Sequence, residues 1–350
     1  MQYVNIVTRY EFPLFSQHYS TAELNSNILF FENSEEDREW DLVIVFDGVP
    51  ATRMIRVKNE GLIFVAGEPP DAMRYTREFL DQFDISFCAH PYARRRGTNK
   101  PDQYFNNWHF GYDSSNREFK WSLEHLRDMA PPVKSKDMSV IMSNLAYMPN
   151  HLKRRRFLEK LQERFGQRVD VFGRGERYIP YKDDALLPYR FHLCIENCAV
   201  PDLWTEKLAD PLLGWAVPVY AGCPNLSRYI PEESFVRLDM DDVEGSLTTI
   251  DRLLNDTQSE YGRRLGALRV ARQRILKDHN IVTLAERVLA MAGGAEGMTR
   301  TLVPNEQTRG FKWANYALRL NRYIYRRYFL LTHGSPNKSS SDTKPRADSK

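Results

Sequence analysis

The chain has 350 residues, 42% apolar and 27% charged, with a formal net charge of +3, which leaves room for two soluble domains with a core each. No apolar run approaches the ~20 residues that span a bilayer, and the start, MQYVNIVTRYEFPLF, lacks the basic lead and apolar centre of a signal peptide. Cys88, Cys194, Cys198 and Cys223 form no CxxC pair, so a reduced, cytoplasmic setting is expected. The positive charge sits at the end: Phe311 to Leu331 holds Lys312, Arg319, Arg322, Arg326 and Arg327 with no acid. Everything ahead of it is slightly acidic, which argues against a nucleic-acid-binding protein.

Val4 to Thr8, Leu42 to Phe46, Leu62 to Ala66 and Ile85 to Cys88 are short apolar runs separated by polar, partly helical stretches. That is the rhythm of buried parallel strands joined by crossovers, an α/β domain. The third run leads into Gly67-Glu68-Pro69-Pro70, which sets a carboxylate where a strand ends, on a turn stiffened by proline. Glu68 is either a cap or loop acid, or a group that does chemistry. Arg94-Arg95-Arg96 reads as a solvated loop ahead of a contact to an acidic ligand. Trp108 to Tyr112 is an aromatic cluster that packs a core by default but also offers the flat faces a sugar needs. His109 within it reads first as a structural histidine and second as a base.

Ala130 to Lys136, with two prolines and then lysines, is the expected domain boundary. It separates an N-terminal α/β unit, 1–133, from a C-terminal one, 134–293, followed by a helical extension, 294–331, and a disordered tail, 332–350. The strand–helix alternation resumes with a strand over Ser139 to Ser143. A helix follows from Asn150 to about Phe165, burying Phe157, Leu158, Leu161 and Phe165. Lys153, Arg154, Arg155 and Arg156 crowd its first turn against the macrodipole. Each costs a few tenths of a kcal/mol, which a bound anion would offset. Val169 to Phe172 is the next strand, closing on Gly173-Arg174-Gly175. No third glycine follows, so the dinucleotide fingerprint is absent; Arg174 remains a weaker ligand candidate.

The stretch from Tyr189 to Pro224 organises the rest. A strand over His192 to Ile195 ends on Glu196 and Asn197, and a loop broken by Pro201 runs to Trp204. Thr205 reads as an N-cap, with Glu206 and Lys207 in the first turn of a helix reaching about Gly214. Val217 to Tyr220 is the following strand. An open parallel sheet binds ligands beyond the carboxyl ends of its strands, and the free N–H groups of the helix start attract phosphate, reinforced by Lys207. After a strand over Phe235 to Leu238, helices run from about Asp241 to Gly293. Asp239-Met240-Asp241 spells a DxD that reads as capping before it reads as a metal site. The final helix carries one stripe of Lys312, Asn315, Arg319, Arg322 and Arg326, and another of Trp313, Ala317, Leu320, Ile324 and Leu331. Either the apolar stripe packs back across the two domains, or the helix attaches peripherally to the inner face of the cytoplasmic membrane.

Ile195-Glu196-Asn197, Thr205-Glu206-Lys207 at a fixed gap and Trp215-Ala216-Val217-Pro218-Val219 together resemble the signature of glycosyltransferase family 10, the α-1,3/1,4-fucosyltransferases. Flanking similarity runs from about Ser143 to Asp242. The resemblance implies the GT-B architecture, two Rossmann-like domains facing across a cleft. GDP-fucose would be held by the C-terminal domain and the acceptor oligosaccharide by the N-terminal one. It also implies Glu68 as base, although proline here takes the middle place of the family's Glu-x-Pro. Arg154, three residues before Phe157, would meet the donor diphosphate; Glu206 would accept from the ribose hydroxyls; Glu196 and Asn197 would lie near the donor, with Thr205 and Lys207. Where family members commonly have tyrosine this chain has Leu203, with Trp204 displaced by one, which makes Trp204 a weaker candidate.

The implied reaction is inverting transfer of L-fucose from GDP-β-L-fucose to a hydroxyl of a GlcNAc-containing surface polysaccharide or lipopolysaccharide, which a lipid could carry, in α-1,3/1,4 linkage. It needs one base, no protein nucleophile, and cations at the departing diphosphate; no metal or other cofactor is expected. Two alternatives stand beside it: an inverting GT-B transferase using another nucleotide sugar, and a nucleotide-sugar-binding protein with a dead site.

Overall fold

The computed structural model describes residues 1–11, 15–19, 27–93, 97–102, 105–113, 116–142, 149–173, 177–291 and 296–333. Near the N-terminus, β1 (Gln2–Thr8), β2 (Ile28–Glu32), β3 (Leu42–Phe46), β4 (Leu62–Val65), β5 (Ile85–Phe87) and β6 (Thr98–Lys100) form one sheet in the order β2-β1-β3-β4-β5-β6. Every pairing in it is parallel. Leu42, Ile44 and Phe46 of β3 pack with Val4 and Ile6 on one face, while Val43 and Val45 pack with Phe64 and Phe79 on the other. Both faces are covered, which is why these strands are continuous apolar runs rather than alternating ones.

A second parallel sheet uses β7 (Lys136–Ile141), β8 (Val169–Phe172), β9 (Tyr189–Ile195), β10 (Val217–Ala221) and β11 (Val236–Arg237), in the order β8-β7-β9-β10-β11. Helix α1 (Pro149–Phe165) follows β7 and α2 (Glu206–Leu213) follows β9; α3 (Val243–Asn255) and α4 (Thr257–Lys277) come after β11. The four residues of α1 spaced for burial, Phe157, Leu158, Leu161 and Phe165, share one core with Leu208 and Leu212 of α2.

In each sheet the chain steps to one side and then to the other: from β1 to β2 and back to β3, from β7 to β8 and back to β9. Such a reversal leaves a crevice beyond the carboxyl ends of the two central strands. The two crevices face one another and share a cavity, the arrangement that defines the GT-B architecture.

The packing departs from the expected boundaries after α4. Helix α5 (Ile281–Met291) contributes Ile281, Leu284, Ala285 and Val288 to the core beneath β1 and β3. Met298–Leu302 then pairs antiparallel with Arg53–Val57 beside the first sheet. The unit expected over 134–293 therefore gives its last helix to the N-terminal one, and the extension expected as helical begins with a strand. Apolar spacing announces a face to bury, not which sheet will cover it. The expected tail lies outside the described residues beyond His333.

The linker is tied down. Lys134, buried within it, donates to the carbonyls of Leu186 (3.1 Å), Leu187 (2.9 Å) and Gly214 (2.7 Å), the last being the C-cap of α2.

Truncating α5 tests the new boundary. Leu284→Ala is expected to cost about 2–5 kcal/mol in denaturant unfolding, with amide protection lost in β1 and β3. Protection lost in β7 and β9 instead would return α5 to the C-terminal unit.

Candidate active site

A cavity of about 530 Å³ lies between the two crevices, bounded on one side by Tyr10, Phe46 and Glu68, and on the other by Met142, Arg154 and the residues from Ile195 to Cys198 and Thr205 to Lys207. Asn107, His109 and Lys182 line it between these walls.

The C-terminal wall is built around a buried carboxylate. Glu196 leaves β9 and accepts the Thr205 N–H at 2.9 Å, while the Thr205 hydroxyl lies 2.9 and 2.7 Å from its two oxygens. The same hydroxyl accepts from the Lys207 N–H at 3.3 Å, capping α2. Gly222 leaves room for this: a Cβ there would sit 2.5 Å from Glu196 Cγ. Burial raises the Glu196 carboxyl, with the Lys207 charge opposing. Glu196, expected near the donor, lines the cavity, and its carboxylate holds the helix start in place.

Lys207 Nζ donates to Glu206 at 3.0 Å and lies 3.8 Å from Glu196. Burial would raise Glu206, but Lys207, Lys182 and His109 outweigh it and hold the carboxylate ionised well below its usual range. Burial would likewise lower Lys207, and Glu206 and Glu196 reverse it. Of the four basic residues at the start of α1, Arg154 lines the cavity. Its Nη1 donates to Asn197 Oδ1 at 2.5 Å, and Asn150 Nδ2 donates to the Asn197 carbonyl at 2.6 Å. Arg154 is buried with its Nε unpaired among the described residues. A cationic side chain with a spare donor, beside a helix N-terminus and Lys207, is suited to an oxyanion.

The N-terminal wall is built around Asp47, buried at the end of β3 in a left-handed conformation, φ 62°. It accepts from Arg9 (2.6 Å), Tyr10 Oη (2.9 Å), the Glu68 N–H (2.9 Å), the Gly67 N–H (3.2 Å) and the Tyr75 hydroxyl. The Glu68 turn is thereby fixed to the neighbouring strand. Gly67 is required there, because a Cβ would lie 2.7 Å from the Phe46 ring. The Glu68 carboxyl faces Tyr10 Oη at 3.3 Å and Arg9 at 3.9 Å. Burial and the Asp47 charge raise its proton affinity, Arg9 and Tyr10 lower it, and Glu206 across the cavity raises it. A carboxyl tuned upward is what general-base chemistry near neutrality needs.

Other expectations fare differently. His109 lines the cavity, its N–H donating to Asp210 at 2.7 Å and its Nε2 lying 3.0 Å from Asn107 Nδ2. Burial and Lys182 lower its pKa, with Glu206 and Asp210 opposing. Trp204 is buried in the core, edge-on to His279 at 5.3 Å; Leu203 is the residue that reaches the cavity. The shift by one position turned the aromatic inward. The DxD is turn chemistry: Asp239 accepts the Asp241 N–H at 2.9 Å, Asp241 pairs with Lys153 at 2.7 Å, and Asp242 caps α3. Arg174 and Arg94 to Arg96 lie outside the described residues.

Tyr10, Asp47, Asn107 and Lys182 were not anticipated. Tyr10 and Asp47 lie within two residues of the ends of β1 and β3, where the carboxyl-end rule would have found them. Lys182, paired with Asp210 at 2.9 Å, carried no signal.

Two parallel α/β units, a cationic helix start in one and a carboxylate of raised proton affinity facing it from the other, make up the GT-B arrangement with its cleft. Residues 131–264 match the model of glycosyltransferase family 10 (fucosyltransferase), C-terminal part. That match covers less than half of the chain and lies in its C-terminal unit. The human 4-galactosyl-N-acetylglucosaminide 3-alpha-L-fucosyltransferase is 34% identical over 119 residues, 33% of this chain and 32% of that one. The human 3-galactosyl-N-acetylglucosaminide 4-alpha-L-fucosyltransferase matches at 34% over the same length, with the same shares. The chain thus spans about a third of these relatives' length. Among solved structures, an alpha1,3-fucosyltransferase with GDP aligns over 83% of this chain and 91% of its own, at 16% identity and a TM-score of 0.46. A UDP-forming trehalose-phosphate synthase from Burkholderia xenovorans aligns over 71% and 73%, at 11% identity and a TM-score of 0.43. At that distance no residue role passes from one to the other.

Thr205 joins the cap to the buried carboxylate, so Thr205→Ala is expected to cost about 0.5–2 kcal/mol in chemical denaturation, with Thr205→Ser close to the parent. Equal stability of the alanine and serine variants would remove the hydroxyl from the account.

Proposed function

We propose that the chain transfers L-fucose from GDP-β-L-fucose to a hydroxyl of an acceptor glycan, with inversion, in the α-1,3 or α-1,4 linkage of its curated relatives. The observation that carries this is Glu68, facing Arg154, Lys207 and the start of α2 across one cavity. The relatives' names make a GlcNAc-containing glycan the acceptor to try first.

In this reading GDP lies along the C-terminal wall. Glu206, held ionised, accepts from the ribose hydroxyls, and the diphosphate meets Lys207, Arg154 and the free N–H groups of α2. Glu68 takes the proton of the acceptor hydroxyl as its oxygen bonds to fucose C1. The C1–O bond to the diphosphate breaks on the opposite face through an oxocarbenium-like state, and GDP leaves with the electron pair. Negative charge grows on the leaving phosphate, where fixed cations stabilise it most. Protein cations fill that role without a bound metal.

Glu206→Ala and Lys207→Ala should each weaken GDP binding by about 1.5–3 kcal/mol, tenfold or more, in calorimetry. Unchanged affinity in both would remove the nucleotide from this wall. Glu68→Gln should leave GDP affinity nearly intact and lower turnover by about 10²–10⁴; more than a tenth of parent turnover would assign the base elsewhere. The pH profile gives an independent reading. Because the Tyr10 hydroxyl lowers the Glu68 carboxyl, Tyr10→Phe should move the acid limb of kcat/KM to higher pH, and a limb that stays put or moves down contradicts Glu68 as its source.

Leu203 on the cavity wall, in place of the tyrosine common in the family, favours a second reading with another nucleotide sugar. Differential melting with GDP-fucose, GDP-mannose and UDP-sugars separates the two, since a specific ligand at 100 times its dissociation constant adds about 2.7 kcal/mol.

A further inference from the structure

The last helix, α6 (Phe311–His333), packs by a stripe that neither expectation named. Asn315, Leu318 and Phe329 are buried, and the Arg322 guanidinium donates to the Asp71 and Ala72 carbonyls. The helix lies against α1. At about 100° per residue, these four residues fall within a narrow sector. The apolar stripe expected to pack on the two domains points the other way and is open to solvent.

Trp313, Leu320, Ile324 and Leu331 are 79%, 45%, 56% and 85% exposed, with Tyr316 and Tyr323 at 61% and 60%. Tyr328 extends the face at its edge. Of the fifteen large apolar side chains exposed among the described residues, seven lie on this helix. Lys312, Arg319 and Arg326 run along one flank of the stripe and Arg327 lies within it, all exposed; the helix has no acid.

We propose that this outer face docks on an anionic lipid bilayer surface. The argument is from charge and shape together. Tyrosine and tryptophan rings suit the headgroup boundary, aliphatic tips between them reach the acyl region, and a flank of cations meets anionic headgroups. A second copy of this chain fits badly, because a two-fold pairing of the same face opposes arginine to arginine with no acid to neutralise them. No described helix is long and apolar enough to cross a membrane, so the contact is peripheral. Arg322 gives the contact a geometric consequence. Its partners Asp71 and Ala72 follow the turn that carries Glu68, and α1 carries Arg154, so a docked α6 would fix the cavity relative to the bilayer and favour an acceptor held at that surface.

The proposal goes beyond the reaction proposed above and is tested apart from it. The full chain is sedimented with vesicles of phosphatidylglycerol and phosphatidylcholine, and with phosphatidylcholine alone. Binding to the anionic vesicles alone, weakened by salt, is expected. Replacing Lys312, Arg319 and Arg326 by glutamine should lower partitioning roughly a hundredfold, and replacing Trp313, Leu320 and Ile324 by serine should abolish it. These side chains are exposed, so calorimetric GDP affinity should stay at the parent value in both variants, whatever the donor reading proves to be. Equal binding to both vesicle types, no binding to either, or binding unchanged in the variants overturns the proposal. Concentration-dependent self-association that the serine variant abolishes also overturns it, assigning the face to a second copy.

Discussion

A carboxylate taken out of water holds the C-terminal wall of the cavity together. Glu196 is buried where β9 ends, and removing a partner from a buried charge of this kind costs about 3–5 kcal/mol. Its partners are the amide and hydroxyl of Thr205, nine residues further on, so the loop between them must return the chain to the strand it left. That requirement makes the spacing between Glu196-Asn197 and Thr205-Glu206-Lys207 rigid. Closing the loop aims the start of α2 into the cavity and sets Lys207 between two carboxylates.

Three glutamates share the cavity in three electrostatic states. Glu196 is raised by burial and spent on structure; Glu206 is held ionised by Lys207, Lys182 and His109; Glu68 is raised by burial and Asp47, with Arg9 opposing. Carboxyl groups whose environments push them apart divide acid–base work from binding work. Here the two environments lie on opposite sides of the cleft, with ionised Glu206 on the C-terminal wall and raised Glu68 on the N-terminal one. Buried Asp47 links Glu68 to β1 and β3 at once, so this carboxyl is set by the sheet rather than by its own turn.

Much of this was legible beforehand because strand ends and helix starts leave local marks. Leu42 to Phe46, Val169 to Phe172 and the α2 cap at Thr205 were found where the structure has them, since each is specified by its own few residues. Legibility fails where a residue's setting depends on distant chain. Trp204 turns into the core while Leu203, one step away and also buried, borders the cavity, and Lys182 lines it paired with the distant Asp210. The face of α6 that packs is written in Asn315 and Arg322, which no hydrophobic pattern selects.

The return of α5 to the core of the first sheet, and of Met298–Leu302 to the strand beside it, reverses the order in which the units can finish during synthesis. The core of the second sheet is complete within residues 108–276. The first sheet, although made earlier, keeps one face uncovered until Ile281 to Val288 arrive. At about 5–20 residues per second, the wait after β3 lasts roughly ten to fifty seconds. Through that interval Val4, Ile44 and Phe46 present an open apolar face, so the nascent N-terminal half, rather than the folded protein, is the species that most needs a chaperone.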